Sequence, residues 1–337
     1  MFLLFPRADV PLLESGQATT LRKQTSSSGE IKVVSYNIRW RSGEDLKVII
    51  KLLQDDPEIG GASVLALQEV DRSKKRSAHN NTAKIIADEL GLHYAWAAPP
   101  TSKPGEEEET GVAILSVYPL SDLRRIVLPH PGPNRRRRVA LGATVEIDNT
   151  RWRVYSAHAE TRLALDKKME QFKAVLDDLA QYPAHTPAIV MGDFNTWEGD
   201  AGPKTRKLFS DAGMITPFDG QSTFRRRILL VPIEFKLDWV WLRGLEPASF
   251  GIDKKVEISD HWPLWTNIKT PSVRQLTPKA FANSSPGFER SREPWDTNSK
   301  TRRNPERFGR LANPYRVQRI FYVRSQGCRS APTPGWN

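Results

Sequence analysis

Two hydrophobic periods alternate along residues 31–269. Short, nearly unbroken apolar runs at 32–36, 64–68, 112–115 and 188–191 predict buried strands, and further strands are expected at 138–147, 152–158, 237–242 and 262–268. Helical spacing predicts helices over 44–54, 81–90 and 163–181, the second stopped by Gly91. The third has the clearest stripe: Leu165, Met169, Phe172, Leu176 and Leu179 share one face, with Asp166, Lys167, Lys168 and Asp178 largely elsewhere. Strands interleaved with helices over about 240 residues argue for an α/β architecture. The pattern leaves open whether the strands form one sheet or two.

The two ends differ from this body. Residues 1–30 lack sustained periodicity and are expected to be a flexible leader. Residues 271–337 are rich in Pro, Ser, Asn and Arg and are expected to be a disordered tail, apart from an apolar stretch at 320–323 that could dock as a strand. The formal charge of +11 sits mainly in that tail, which holds 13 Lys/Arg against 4 Asp/Glu. Residues 31–270 hold 34 basic and 32 acidic residues, so net charge gives the body no polyanion footprint. The single cysteine, Cys328, excludes a disulfide framework or zinc knuckle. The apolar opening at 1–5 is too short for a signal-peptide core, and no run approaches a membrane span. A cytoplasmic location is therefore expected; oligomeric state is left open.

Several expected strands end in polar residues that suit a metal site better than a core. They are Tyr36-Asn37, Gln68-Glu69-Val70-Asp71, Ser156-Ala157-His158, Gly192-Asp193-Phe194-Asn195, Leu237-Asp238 and Ser259-Asp260-His261. Groups at strand ends are held by a rigid sheet yet reach an open rim. Each piece alone also has an ordinary reading as a turn, a helix cap, a solvated strand end or a core histidine. Those readings do not explain the order in which the pieces occur.

In that order the pieces resemble the motif set of the endonuclease/exonuclease/phosphatase superfamily, which includes DNase I-like nucleases, abasic-site endonucleases, inositol polyphosphate 5-phosphatases and neutral sphingomyelinases. The resemblance spans 31–269 and is most specific at Gly192-Asp193-Phe194-Asn195 and Ser259-Asp260-His261-Trp262-Pro263. It implies a four-layer α/β sandwich: two mixed β-sheets packed face to face, helices outside. It also implies Mg2+, with Mn2+ as an alternative, bound by Glu69 with Asn37 and Asp260 nearby. Asp193 matches the residue that orients or deprotonates the attacking water, and Asn195 one that helps place that water and the phosphate. His261 and His158 match phosphate-facing histidines, and Asp238 the carboxylate that orients His261. The residue types fit, since phosphoester hydrolysis needs an activated water and neutralised phosphoryl charge, and Mg2+ prefers hard carboxylates.

Arg39, Arg138 and Arg226 are candidate substrate contacts, the latter two within arginine runs at 135–138 and 225–227. The run at 225–227 is read as part of the loop before Asp238, and the acidic run at 106–109 as a solvated surface. Stretches at 107–120, 128–133 and 158–162 are also similar to the soluble domain of proteins linked to glycosylphosphatidylinositol remodelling. Two enzyme readings follow. The favoured one is a hydrolase of small or lipid-linked phosphodiesters or phosphomonoesters; the other is a nuclease acting on nucleic acid. A third, a non-catalytic binding module, sits badly with every candidate catalytic position being filled.

Overall fold

The computed structural model describes residues 12–18, 20, 29–100, 109–228 and 231–270, all within a compact unit that ends at Lys279. The expected tail at 271–337, with its stretch at 320–323, lies outside the described residues, as do 106–108 of the acidic run and most of the leader.

The chain begins with β1 (Leu13–Gly16), β2 (Glu30–Asn37), α1 (Gly43–Asp55), β3 (Val64–Arg72), α2 (Thr82–Leu90), β4 (His93–Ala97) and β5 (Glu109–Ser116). It continues through β6 (Ser121–Val127), β7 (Val139–Ile147), β8 (Thr150–His158), α3 (Leu165–Leu179), β9 (Ala188–Asp193) and α4 (Ala201–Asp211). The last elements are β10 (Phe224–Ile228), β11 (Val231–Phe235), β12 (Asp238–Arg243), β13 (Glu246–Ile252) and β14 (Leu264–Lys269). One sheet has seven strands ordered β1-β4-β5-β3-β2-β14-β13, the other five ordered β12-β9-β8-β7-β6, and β10-β11 forms a separate ribbon. Each large sheet is mixed: β2 runs parallel to β3 and β8 parallel to β9, among antiparallel neighbours.

The strands are apolar on both faces because both faces are covered. Successive side chains point to opposite sides, and the core divides accordingly. Val33, Val64, Ala66 and Ile114 meet Leu141, Val154, Met191 and Val240 between the sheets. Their strand neighbours Val34, Leu65, Leu67 and Leu115 instead pack with Leu46, Ile49 and Ile86 of α1 and α2. On the far side Tyr155, Val190, Trp239 and Trp241 pack with Phe172 of α3 and Phe209 of α4. These three apolar layers between four structural ones give the two-sheet sandwich with helices outside. Helix α2 stops at the expected Gly91, at φ 66°, and is capped at its start by Asn81, whose side chain accepts from the N–H groups of Ala83 and Lys84.

Four local expectations are corrected. The assigned leader contains β1, paired with β4. Its Glu14 accepts from Arg72, Asn81 and Tyr94, so ion pairing and hydrogen bonding hold a strand too short to show a period. Glu109 is buried rather than solvated, bonded to the same Arg72 at 2.9 Å. The run at 225–227 lies in strand β10, not a loop. On α3, Phe172, Leu176 and Leu179 are buried as expected, but so are Lys168, Gln171 and Asp178. Each of these polar groups has a partner: Lys168 Nζ donates to the Asn195 carbonyl, Gln171 to the Pro129 carbonyl, and Asp178 accepts from Tyr155.

Candidate active site

The two parallel pairs end at the same rim of the sandwich. In the smaller sheet His158, Asp193 and Asp238 lie side by side, His158 and Asp238 both in register with Asp193. This alignment requires Gly192, at φ 146°, where a Cβ would fall 2.0 Å from the Ala157 carbonyl oxygen. In the larger sheet Asn37 ends β2 opposite Gln68, and the next residue, Glu69, sits in a bulge where the β3–β5 ladder slips. Glu69 has φ 56°, a left-handed conformation unusual for a side chain of its size. Such bulges re-aim a side chain, and that of Glu69 lines the cleft.

Polar contacts tie the sheets together at this rim. Asn37 Nδ2 donates to Asp193 Oδ2 at 3.0 Å, and Gln68 Nε2 donates to Ser156 Oγ at 3.1 Å. Ser259 Oγ donates to the Asn37 carbonyl at 2.8 Å, fixing the segment that carries Asp260 and His261. Asp193 Oδ1 accepts from the Asn195 backbone N–H at 2.9 Å, and Asn195 Nδ2 donates to the Ala159 carbonyl. His158 Nε2 lies 3.8 Å from Glu69 Oε1 and 3.5 Å from Asp193 Oδ2, so one ring nitrogen spans the two carboxylates from opposite sheets.

The two histidines are driven in opposite directions. Burial would lower the pKa of His261, but Asp238, whose Oδ2 is 2.9 Å from Nδ1, and Asp193 together raise it to about 10. His158 is held well below its ordinary value by burial and by Arg138 and Arg136, so its approaches to Glu69 and Asp193 are those of a neutral ring, not ion pairs. Burial raises Asp193 to about 7, with Asp238 and Glu69 adding to the rise and His261 opposing it. Glu69 is also raised by burial, against the pull of Arg138 and His261.

Residues of this site could hold a cation. Glu69 Oε2 is buried without a hydrogen-bond partner, the kind of orphaned carboxylate oxygen that a hard divalent ion satisfies. Asp193, Asp238 and His261 also bring ligand-type atoms within 4.8 Å of one another. Asp238 is otherwise engaged, accepting from Thr223 Oγ1 at 2.7 Å while it holds His261.

Of the sequence candidates, Glu69, His158, Asp193, Asn195, Asp260, His261, Arg39 and Arg226 line one cleft of about 360 Å³. Asn37 and Asp238 stand behind it, bonded to Asp193 and His261. Arg138 does not line the cleft: it is buried, with Nε donating to Glu160 at 3.1 Å and Nη1 against His158 at 3.2 Å. Arg39 is at the rim, 3.1 Å from Asp260. Pattern reading passed over the cleft's aromatic wall, made by Trp40, Trp197, Phe224 and Phe235. Trp40 and Trp197 are the exposed members, and each follows a motif asparagine within three residues, the one clue available.

The comparisons agree with this geometry. The chain from 34 to 261 matches the model of the Endonuclease/Exonuclease/phosphatase family. It is similar in fold to an endonuclease/exonuclease/phosphatase family protein from Leptotrichia buccalis C-1013-b, at TM-score 0.57 and 17% identity over 71% of this chain and 100% of that one. TDP2 from C. elegans is similar at TM-score 0.52 and 17% identity, covering 72% and 75%. ANGEL2, a 2',3'-cyclic phosphatase, is similar at 0.53 and 16%, covering 71% and 95%. A search of curated protein sequences finds no match. With the family model spanning both sheets and every motif of the cleft, the chain belongs to the endonuclease/exonuclease/phosphatase family and is a phosphoric ester hydrolase.

Proposed function

We propose that the protein is a Mg2+-dependent phosphoesterase acting on a small or lipid-linked phosphodiester or phosphomonoester. The observation that carries this reading is the orphaned Glu69 carboxylate oxygen, on a residue that lines one cleft with Asp193 and His261. Mg2+ held by Glu69, with Asn37 and Asp260 at its edge, would neutralise charge on the phosphoryl oxygens. Asp193 is the base for water: Asn37 and the Asn195 N–H fix its two oxygens. The water oxygen bonds to phosphorus, its proton passes to Asp193, and the bond to the leaving oxygen breaks. His261, kept cationic by Asp238, donates to a phosphoryl oxygen as charge builds there. His158 and Asn195 complete the set that holds the group in line.

Cleft size and wall favour the smaller substrates. A space of about 360 Å³ takes one phosphoester and its immediate neighbours, and the aromatic wall suits an apolar or ring-bearing leaving group. The nuclease reading draws on Arg226 at the cleft and the basic tail, but Arg39, Arg138 and Arg225 are each paired with an acid. Purified protein with Mg2+ should be assayed on bis-p-nitrophenyl phosphate, inositol phosphates, sphingomyelin vesicles and plasmid DNA. The proposal expects turnover of at least one of the first three well above that of DNA; DNA cleavage alone would favour the nuclease.

A further inference from the structure

Arg138 precedes β7, whose first residue, Val139, is paired with His158. Its guanidinium is buried and makes two contacts: Nε donates to Glu160 Oε2 at 3.1 Å, and Nη1 lies 3.2 Å from His158 Nδ1. Glu160 is itself fixed, its N–H donating to Gln171 Oε1 at 2.9 Å and its Oε1 accepting from the Arg162 N–H at 3.3 Å. A guanidinium has donors and no acceptor. His158 Nδ1 must therefore accept, which leaves the ring proton on Nε2, the nitrogen that faces Glu69 and Asp193 in the cleft. The other histidine has the reverse partner: His261 Nδ1 meets a carboxylate, Asp238, which only accepts. The same ring is thus set in two different states by partners of opposite chemistry.

We infer that Arg138 is a positioning residue that fixes His158 as the Nε2–H tautomer, making His158 a hydrogen-bond donor to a phosphoryl oxygen, not a proton-transfer group, with Glu160 aligning the arginine. The tautomer follows from the contacts alone; the donor role rests on the phosphoesterase reading above.

The two parts separate in the test. The chain has 6 histidines, so the imidazole 1H–15N correlations of the full chain can be assigned by the signal lost in His158→Gln. The wild type should show His158 unprotonated at Nδ1 and protonated at Nε2. Arg138→Lys, which keeps a donor, should preserve that pattern, while Arg138→Met should bring in the Nδ1–H form. A wild-type Nδ1–H signal, or no change in Arg138→Met, overturns the assignment whatever the enzyme hydrolyses. With bis-p-nitrophenyl phosphate and Mg2+, His158→Gln, whose amide supplies a fixed N–H, should exceed His158→Ala roughly tenfold or more, and Arg138→Met should lower kcat roughly 10–100-fold with little change in KM. Equal rates for Gln and Ala, or a loss confined to KM, would overturn the donor role and make Arg138 a substrate-binding residue.

Discussion

At Asp193 three features meet: it is buried, it accepts from Asn37, and burial with the nearby Asp238 and Glu69 raises its pKa. Its pKa rises from 3.8 to about 7 in the fold, and that of His261 from 6.5 to about 10. Both groups bind protons more tightly folded than unfolded, so their stabilising contribution is complete at low pH and is lost as pH rises, through 7 for Asp193 and then through 10 for His261. Asp193→Asn removes the first of these losses. In chelator, its melting temperature should gain on the wild type by about 2 °C or more between roughly pH 5 and pH 9, while turnover falls about 10²–10⁴-fold. A constant offset across that range would mean that burial of this carboxylate costs the fold nothing. The gathering of Asn37, Glu69, Asp193, Asp238 and His261 at one rim was readable in the sequence because they stand in ordered motifs. Arg138 was not: a buried charge looks like a surface one until its partner is known, and Glu160 lies 22 residues along the chain.

The elements that place these residues were read unevenly, and for physical reasons. Strands β2, β3 and β9 are apolar on both faces, and α3 has a long stripe, so their positions stand out. Strands β1, β6 and β13 carry half-buried and exposed residues, as strands at or near a sheet edge do, and their patterns fade. The bulge at Glu69 has no sequence mark, since it is the ladder to β5 that displaces the residue. Gly192, by contrast, is marked inside its motif and has a steric reason to be there. Gly192→Ala would force a Cβ against the Ala157 carbonyl in a backbone conformation that side chains rarely adopt. It should cost about 2–4 kcal/mol of stability and separate Asp193 from His158. A urea denaturation curve superimposable on that of the wild type would contradict this account of the β8–β9 approach.

For the molecule as a whole, the two sheets pack through an apolar layer, and the last strand of that frame, β14, ends at Lys269, with Thr270 bonded to Gly29. No helix among the described residues is long and apolar enough to cross a membrane. The basic residues beyond 270 should therefore be dispensable for chemistry on a small substrate. A chain cut after residue 270 should keep its turnover of bis-p-nitrophenyl phosphate within about twofold, and raising salt from about 50 to 200 mM should change little in either form. A backbone-binding nuclease would instead lose affinity for DNA by orders of magnitude over that range. An inactive truncation would show that the tail contributes to the folded body.

The central claim is that Glu69 anchors a divalent ion opposite Asp193 and His261. Its most direct measurement is a Mg2+ titration of bis-p-nitrophenyl phosphate hydrolysis by chelator-treated wild type and Glu69→Gln, with folding of both checked by thermal melts. The wild type should be inactive in chelator and recover saturably with Mg2+, and Glu69→Gln should need roughly tenfold or more Mg2+ for half its own, much lower, maximum. Full activity in excess chelator, or an unchanged Mg2+ midpoint in Glu69→Gln, would contradict the account.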